Sequence, residues 1–191
     1  GKLLAGQTPV RLVPGLVLMV HLVPTEAALG GVAIDPVPYT RDRVLPAVGA
    51  DVPMARLNLD GALGVRNANA QTETHGHSQF FRNGLVETMK TLPFRDRASL
   101  GGSAYEQQMI ALLTSFRREL ATLGLGTEMA CMLSLTQAGS VDLGLDRNRF
   151  AFLDEHQGRF DRETLTLPDI LLAAELEPAK ALRPVFDLVW Q

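Results

Sequence analysis

The segment that most constrains the fold is a predicted β-hairpin at 79–90, which reads QFFRNGLVETMK. At its centre is the dipeptide Asn83-Gly84, which suits a two-residue type I′ turn because both central residues of that turn adopt positive φ. Two phenylalanines precede the dipeptide and two aliphatic residues follow it, as expected for paired strands. A tight hairpin of this kind would bring Arg82 and Glu87 together across the strands as a surface ion pair.

Two further segments have the length and apolar character of buried strands. The first is LVLMVHLVP at 16–24, which predicts a strand buried on both faces. Its His21 is expected to be a hydrogen-bonded structural histidine, with a buried ligand or base as the alternative. The second is EMACMLSLT at 128–136, which contains Cys131, the single cysteine of the chain. We expect this thiol to be buried and inert in a reducing compartment.

Helical signals follow the hairpin. Apolar residues at a spacing of three and four predict a long amphipathic helix at 103–123, and glycines follow its last turn. Nearer the C-terminus, Pro168 in a predicted first turn favours a helix at 165–176. The apolar positions of LRPVFDLVW favour another helix at 182–190.

These elements together predict the fold class and the domain organisation. We expect an α+β (mixed α/β) fold with a largely antiparallel sheet, the hairpin at 79–90, the long helix at 103–123 and C-terminal helices. The length of 191 residues suits one ordinary domain. Residues 1–15 are expected to be a linker or the end of a preceding domain, and residues 16–191 a single mixed α/β domain.

The stretch at 25–53 is rich in proline and glycine, which predicts a long surface excursion with little regular structure. Because such loops often carry binding residues, Arg41 and Arg43 are candidate contacts to a ligand or to nucleic acid. Phe81 and Arg82 in the hairpin complete this candidate set, since an aromatic face beside an arginine can stack on a base. Solvated loop charge is the alternative interpretation.

The overall charge and hydropathy limit the classes of partner. A formal net charge of -3 gives no electrostatic case for binding nucleic acid or an anionic membrane through bulk charge. The apolar stretch at 16–23 is too short to span a bilayer and lacks the layout of a signal peptide. We therefore expect a cytoplasmic protein that does not contact membranes.

One pair of neighbouring histidines is a weak candidate for metal binding. His75 and His77 lie in the polar segment 67–78, which is predicted to be a flexible loop. Their spacing matches no closed tetrahedral site, so we expect neither a bound metal nor another cofactor. Nucleophile elbows, phosphate-binding loops and dinucleotide fingerprints are also missing from the sequence. The enzyme alternative is a metal-dependent hydrolase or nuclease that uses acids near Asp60 and this histidine pair.

Three stretches together resemble a bacterial domain family. They read RLNLDGAL at 56–63, QFFRNGLVE at 79–87 and LRPVFDLVW at 182–190. In this order, after the apolar strand, they resemble the C-terminal domain that follows the Schlafen-like AlbA-type domain in bacterial proteins described as ATP-binding or DNA-binding. The resemblance implies that nucleic acid is bound by the upstream AlbA-type domain, and it implies no chemistry for this one.

The functional expectation combines these observations. It is a non-enzymatic accessory domain that senses a ligand or mediates interaction within a larger bacterial nucleic-acid-associated protein. Its expected partners are the upstream domain of the same protein and a second copy of itself, with nucleic acid reached only through the upstream domain. A metal-dependent hydrolase or nuclease is the alternative.

Overall fold

The fold is described from a computed structural model of the chain. The structure describes residues 9–52, 55–66, 73–93, 99–139, 141–144 and 160–189. The strands are β1 (Gly15–Pro24), β2 (Ala55–Leu57), β3 (Gly61–Arg66), β4 (Gly76–Phe81), β5 (Val86–Pro93), β6 (Ser99–Gly101), β7 (Met129–Thr136), β8 (Asp142–Gly144), β9 (Thr164–Thr166) and β10 (Ile170–Leu172). The α-helices are α1 (Thr25–Leu29), α2 (Gly102–Thr122) and α3 (Pro178–Val189).

An eight-stranded antiparallel sheet organises the molecule. Its strand order is β10-β7-β1-β5-β4-β3-β2, and β9 also pairs with β7. The short strands β6 and β8 form a separate parallel pair. The predicted α+β class with a largely antiparallel sheet is therefore confirmed. None of the helices in the described ranges has the length and apolar character needed to cross a membrane.

One face of the sheet packs against α2 and α3, and we call it the helix face. Alternate side chains of β1 point to this face and are fully buried in the core. The buried residues of α2 are Tyr105, Met109, Leu112, Leu113, Phe116 and Leu120. Those of α3 are Leu182, Val185, Phe186 and Val189. Both sets follow the helical period, so the predicted amphipathic helix and the helix at the C-terminal end are confirmed.

The predicted hairpin exists, but its turn differs from the prediction. The Phe81 amide donates to the Leu85 carbonyl at 2.9 Å, and the Gly84 amide donates to the Phe81 carbonyl, also at 2.9 Å. Only Gly84 has positive φ, +88°, whereas Asn83 does not. The connection is therefore a three-residue loop in which a turn is followed by a left-handed glycine. The prediction of a two-residue type I′ turn was wrong, because that turn needs two residues with positive φ and this loop closes with one, Gly84.

The helix predicted at 165–176 is wrong. This segment instead forms β9 and β10, which pair with β7. Strand β7 offers an edge that needs backbone partners, and Pro168 lies between the two short strands that fill it. Pairing with an open sheet edge thus overrides the local helical signal. The C-terminal helix begins later, at Pro178.

The stretch at 25–53 is also not the surface excursion that we predicted. Tyr39 and Leu45 are both fully buried, and Val48 is 1% exposed. Leu45 and Val52 exchange two backbone hydrogen bonds of 2.8 and 2.9 Å, which close a loop over the helix face. The prolines shape this segment by fixing φ, but its large apolar residues draw it into the core.

Candidate functional site

Ionisable side chains from three adjacent strands meet on the face of the sheet opposite α2, which we call the outer face. His21 on β1 lies directly opposite Glu87 on β5. Glu87 in turn lies opposite Gln79 on β4, and His77 is two residues away on that strand. Because side chains alternate between faces, residues in register and their second neighbours share one face. The antiparallel register therefore brings His21, Glu87 and His77 together.

These three residues form what we call the His–Glu–His group. His21 Nε2 is 3.0 Å from Glu87 Oε2, a hydrogen-bond distance. His77 Nε2 is 3.8 Å from Glu87 Oε1, which is too long for a hydrogen bond but short enough for an ion pair. Each carboxylate oxygen thus faces a different imidazole. The expectation that His21 is hydrogen-bonded is confirmed, and its partner is an acid 66 positions away.

Solvent reaches two of the three side chains in the group. The side chain of His21 is 33% exposed and that of Glu87 is 24% exposed, whereas that of His77 is 0% exposed. Both ring nitrogens of His77 are buried, and neither has a hydrogen-bond partner within the described residues. An unsatisfied buried polar atom costs about 1–3 kcal/mol, so such groups mark strained or functional positions. The group therefore joins an accessible imidazole to an enclosed one.

The environment keeps Glu87 ionised. The hydrogen bond from His21 is the largest effect that lowers the pKa of Glu87 to about 2, and the approach of His77 lowers it further. Partial burial opposes both by raising the pKa. At neutral pH the carboxylate is therefore a negatively charged acceptor held between two imidazoles.

This arrangement favours binding of a hydrogen-bond donor over metal chelation. Because His21 Nε2 shares a hydrogen bond with an ionised carboxylate, it must carry the proton and has no lone pair for a metal ion. Within the described ranges, no three His, Cys, Asp or Glu residues are placed to hold a metal. What the group can do is offer the ionised Glu87 to a hydrogen-bond donor or a cation.

A pair of amides borders the group on the outer face. Asn58 Nδ2 donates to Gln79 Oε1 at 2.6 Å, and Gln79 Nε2 lies 3.3 Å from Asn58 Oδ1. Asn58 Oδ1 also accepts the Gly61 amide, which closes the β2–β3 turn. Gln79 is 3% exposed. A row of polar side chains, largely buried on β4, thus runs from the β2–β3 turn to the His–Glu–His group.

The basic residues predicted as contacts lie elsewhere. Arg43 Nη1 donates to Glu119 Oε1 at 2.7 Å, and Tyr39 donates to the same oxygen at 2.5 Å. This contact fixes the 37–43 segment to α2, so Arg43 has a structural role. Arg41 is exposed and makes no side-chain hydrogen bond or ion pair with any residue that the structure describes.

The hairpin candidates are also separate from the His–Glu–His group. Arg82 is exposed, and its Nε donates to the Leu59 carbonyl at 3.2 Å. Phe81 is half-buried at the end of β4. The predicted Arg82–Glu87 pair is wrong, because Glu87 lies opposite Gln79 in the hairpin and binds His21 on the next strand.

The histidine pair singled out from the sequence is divided by the structure. His77 belongs to β4 and is buried, so its assignment to a flexible loop was wrong, whereas His75 lies just before the strand and is exposed. Residues 67–72 of the predicted loop lie outside the described residues. Sequence reasoning missed Glu87 as the partner of both His21 and His77. The available signal was that His77 and Gln79 share one strand face, but register across strands was needed to add Glu87 and His21.

Comparison with protein-family models, curated proteins and solved structures gives no match to this chain.

Proposed function

We propose that this chain is a non-enzymatic accessory domain that senses a ligand within a larger, cytoplasmic bacterial nucleic-acid-associated protein. The observation that carries the proposal is the His–Glu–His group, in which one carboxylate joins an accessible imidazole to an enclosed one. A ligand that meets His21 and Glu87 at the surface changes the electrostatic environment of His77 beneath them. The group is therefore suited to report binding at the outer face to the interior of the sheet.

The chemistry of the group indicates which ligand atoms it would accept. Glu87 is ionised and presents oxygen acceptors, and His21 occupies one of them. A ligand with a cationic nitrogen or with several N–H donors can compete with His21 for the carboxylate. Displacement of the His21 ring would then be the first structural response to the ligand.

The proposal is tested by titrating the chain with methylguanidinium and following the backbone and imidazole resonances by NMR. We expect shifts centred on His21, His77 and Glu87, and we expect Glu87→Gln to abolish them. Glu175→Gln is the matched control, because Glu175 is an exposed acid in the turn before α3. Shifts that avoid the group, or that persist in Glu87→Gln, would refute the assignment.

Hydrolysis is the competing function, and it has its own assay. The chain is incubated with bis(4-nitrophenyl) phosphate and with a DNA oligonucleotide in the presence of Mg²⁺, Mn²⁺ or Zn²⁺. We expect no metal-dependent turnover, because His21 Nε2 is engaged by the Glu87 carboxylate and no three potential ligands in the described ranges are placed to hold a metal. Turnover that disappears in His77→Ala or Asp60→Asn would overturn the non-enzymatic part of the proposal.

The nucleic-acid context of the proposal is supported only by the resemblance of 56–63, 79–87 and 182–190 to the domain that follows the AlbA-type domain. In that context the partner is the upstream domain or a second copy of this chain. Size-exclusion chromatography of the longer protein and of this chain tests the partnership. Identical monomeric behaviour without interdomain contacts would contradict it.

A further inference from the structure

A second site lies on the helix face, where the loop between Leu45 and Val52 meets α2. A groove of about 350 Å³ separates the two. Gly49 and Asp51 line it from the loop, and Ser115 and Arg118 line it from the helix. This volume is within the range of small-molecule sites. The groove lies on the opposite side of the sheet from the His–Glu–His group, so the two sites can be tested independently.

Two cations lie next to Gly49 at the edge of this groove, although neither of them lines it. Arg66 on β3 and Lys90 on β5 both lie opposite Gly76 on the intervening strand β4. Because Gly76 has no side chain, nothing on β4 separates them at this position. A Cβ atom added to Gly49 would lie 3.0 Å from Arg66 Nη1 and 3.0 Å from Lys90 Nζ. The two charged groups are therefore within about 6 Å of each other, where like charges repel.

Neither cation is neutralised by an ion pair within the described residues. Lys90 Nζ donates to the neutral Gln108 Oε1 at 2.7 Å, and Arg66 donates to the Ala50 carbonyl. Burial lowers the pKa of both groups, and the charge of Arg66 lowers the pKa of Lys90 further. Asp51 partly offsets the charge of Arg66. Within the described residues Asp51 acts on Arg66 but not on Lys90, and it lines the groove together with Arg118 of α2, so the cations outnumber the carboxylate.

The loop adds backbone donors to this charge. The amides of Gly49, Ala50 and Asp51 donate no hydrogen bond to any acceptor in the part of the chain that the structure describes. Gly49 has φ of +88°. Successive unpaired amides in a turn with a left-handed residue are a common anion-binding arrangement. The loop is held in place by the two backbone hydrogen bonds between Leu45 and Val52.

We propose that this groove binds a phosphate group, with Arg66, Lys90 and Arg118 supplying positive charge and the 49–51 amides supplying hydrogen bonds. Ser115 adds a hydroxyl, which donates to Asp51 Oδ2 at 2.8 Å in this structure. A phosphate bound beside Gly49 would lie close to both Arg66 and Lys90, would relieve their mutual repulsion and would offset the cost of their partial burial. The phosphate can belong to a small molecule or to the backbone of a nucleic acid.

The test is a set of NMR titrations of the chain with pyrophosphate, adenosine monophosphate, adenosine and a single-stranded DNA oligonucleotide. We expect saturable shifts of the 49–51 amides with the phosphate-bearing probes and none with adenosine. Tighter binding of the two small phosphates than of DNA identifies a small-molecule site, and the reverse order identifies a nucleic-acid contact. Absence of saturable shifts at 49–51 with all phosphate-bearing probes overturns the proposal.

Variants separate the site from general electrostatics. Lys90→Met and Arg66→Gln should each weaken phosphate binding about tenfold or more, because each removes a charge-assisted contact. Asp51→Asn should instead tighten binding, since among the described residues Asp51 is the carboxylate that acts on Arg66. Arg56→Gln is the matched control, because Arg56 is an exposed arginine opposite Leu63 on the outer face. The assignment is refuted if Arg56→Gln weakens phosphate binding as much as Lys90→Met does. It is also refuted if Asp51→Asn does not tighten phosphate binding, and this second outcome remains decisive if Lys90→Met or Arg66→Gln folds poorly.

Discussion

Replacement of Glu87 by glutamine removes the charge from the His–Glu–His group while keeping the size of the side chain. In the native protein His21 donates a hydrogen bond of 3.0 Å to this carboxylate, and His77 lies 3.8 Å from its other oxygen. A glutamine offers one oxygen acceptor and one amide donor in their place. It can therefore satisfy His21, but it provides no charge to either ring.

The magnitude follows from the pKa of Glu87. The folded protein lowers this pKa from 4.5 to about 2. Each pKa unit corresponds to about 1.4 kcal/mol, so ionisation of Glu87 contributes about 3 kcal/mol to stability. A carboxyl group whose pKa is lowered by folding stabilises the folded protein at pH values above the pKa of that group in the unfolded chain. The contribution is thus complete above pH 4.5 and is lost as the pH falls towards 2.

The assay is urea denaturation of the wild type and of Glu87→Gln at several values of pH across that window. We expect the wild type to be more stable by about 3 kcal/mol above pH 4.5 and the difference to vanish near pH 2. Glu175→Gln is the control for other carboxylates, and it should follow the wild type. A difference between wild type and Glu87→Gln that does not change with pH would refute this reasoning.

Three further predictions concern the core and the hairpin. Tyr39→Phe should cost about 2 kcal/mol in urea denaturation, because it removes a hydrogen bond of 2.5 Å to a carboxylate; a loss below about 0.5 kcal/mol would contradict this. Gly84→Ala should cost about 1 kcal/mol by the same measurement, since Gly84 has φ of +88°, and an unchanged midpoint would argue against the strained turn. Cys131 should resist iodoacetamide until the chain is unfolded, because burial raises its pKa to about 12; rapid labelling of the native protein, followed by mass spectrometry, would disprove its burial.

Much of the secondary structure could be predicted because its signals act over a few residues. Strand β1, the β4–β5 hairpin and helix α2 each carry their own apolar pattern, and all three form. Two details differ from the prediction: the outer face of β1 is only partly buried at Met19, His21 and Val23, and the hairpin loop has three residues. The failures occurred where distant contacts overrode a local signal. The segment at 165–176 joined the open edge of β7, and the proline-rich loop at 25–53 entered the core through Tyr39 and Leu45.

The candidate sites were far less predictable than the elements that carry them. Arg41, Arg43 and Arg82 were chosen for their residue type, and the structure places the first two on the 37–43 segment and Arg82 in the hairpin loop. His21 and His77 were both noted, but each was considered with its neighbours in the sequence. Their common partner, Glu87, was assigned to an ion pair that does not form. Residue type identified the chemistry, but it gave no information about which groups meet.

The sequence by itself determined the fold class, the hairpin at 79–90 and the long amphipathic helix, because apolar periodicity and turn residues are local properties. Only the tertiary structure decided that His21 meets Glu87 across 66 positions and that Arg66 and Lys90 flank Gly76. These meetings depend on strand order and register, and a shift of one residue would turn every side chain of a strand to the other face. No local pattern encodes how distant strands pair. This pairing therefore creates both candidate sites, the His–Glu–His group and the groove beside Arg66 and Lys90.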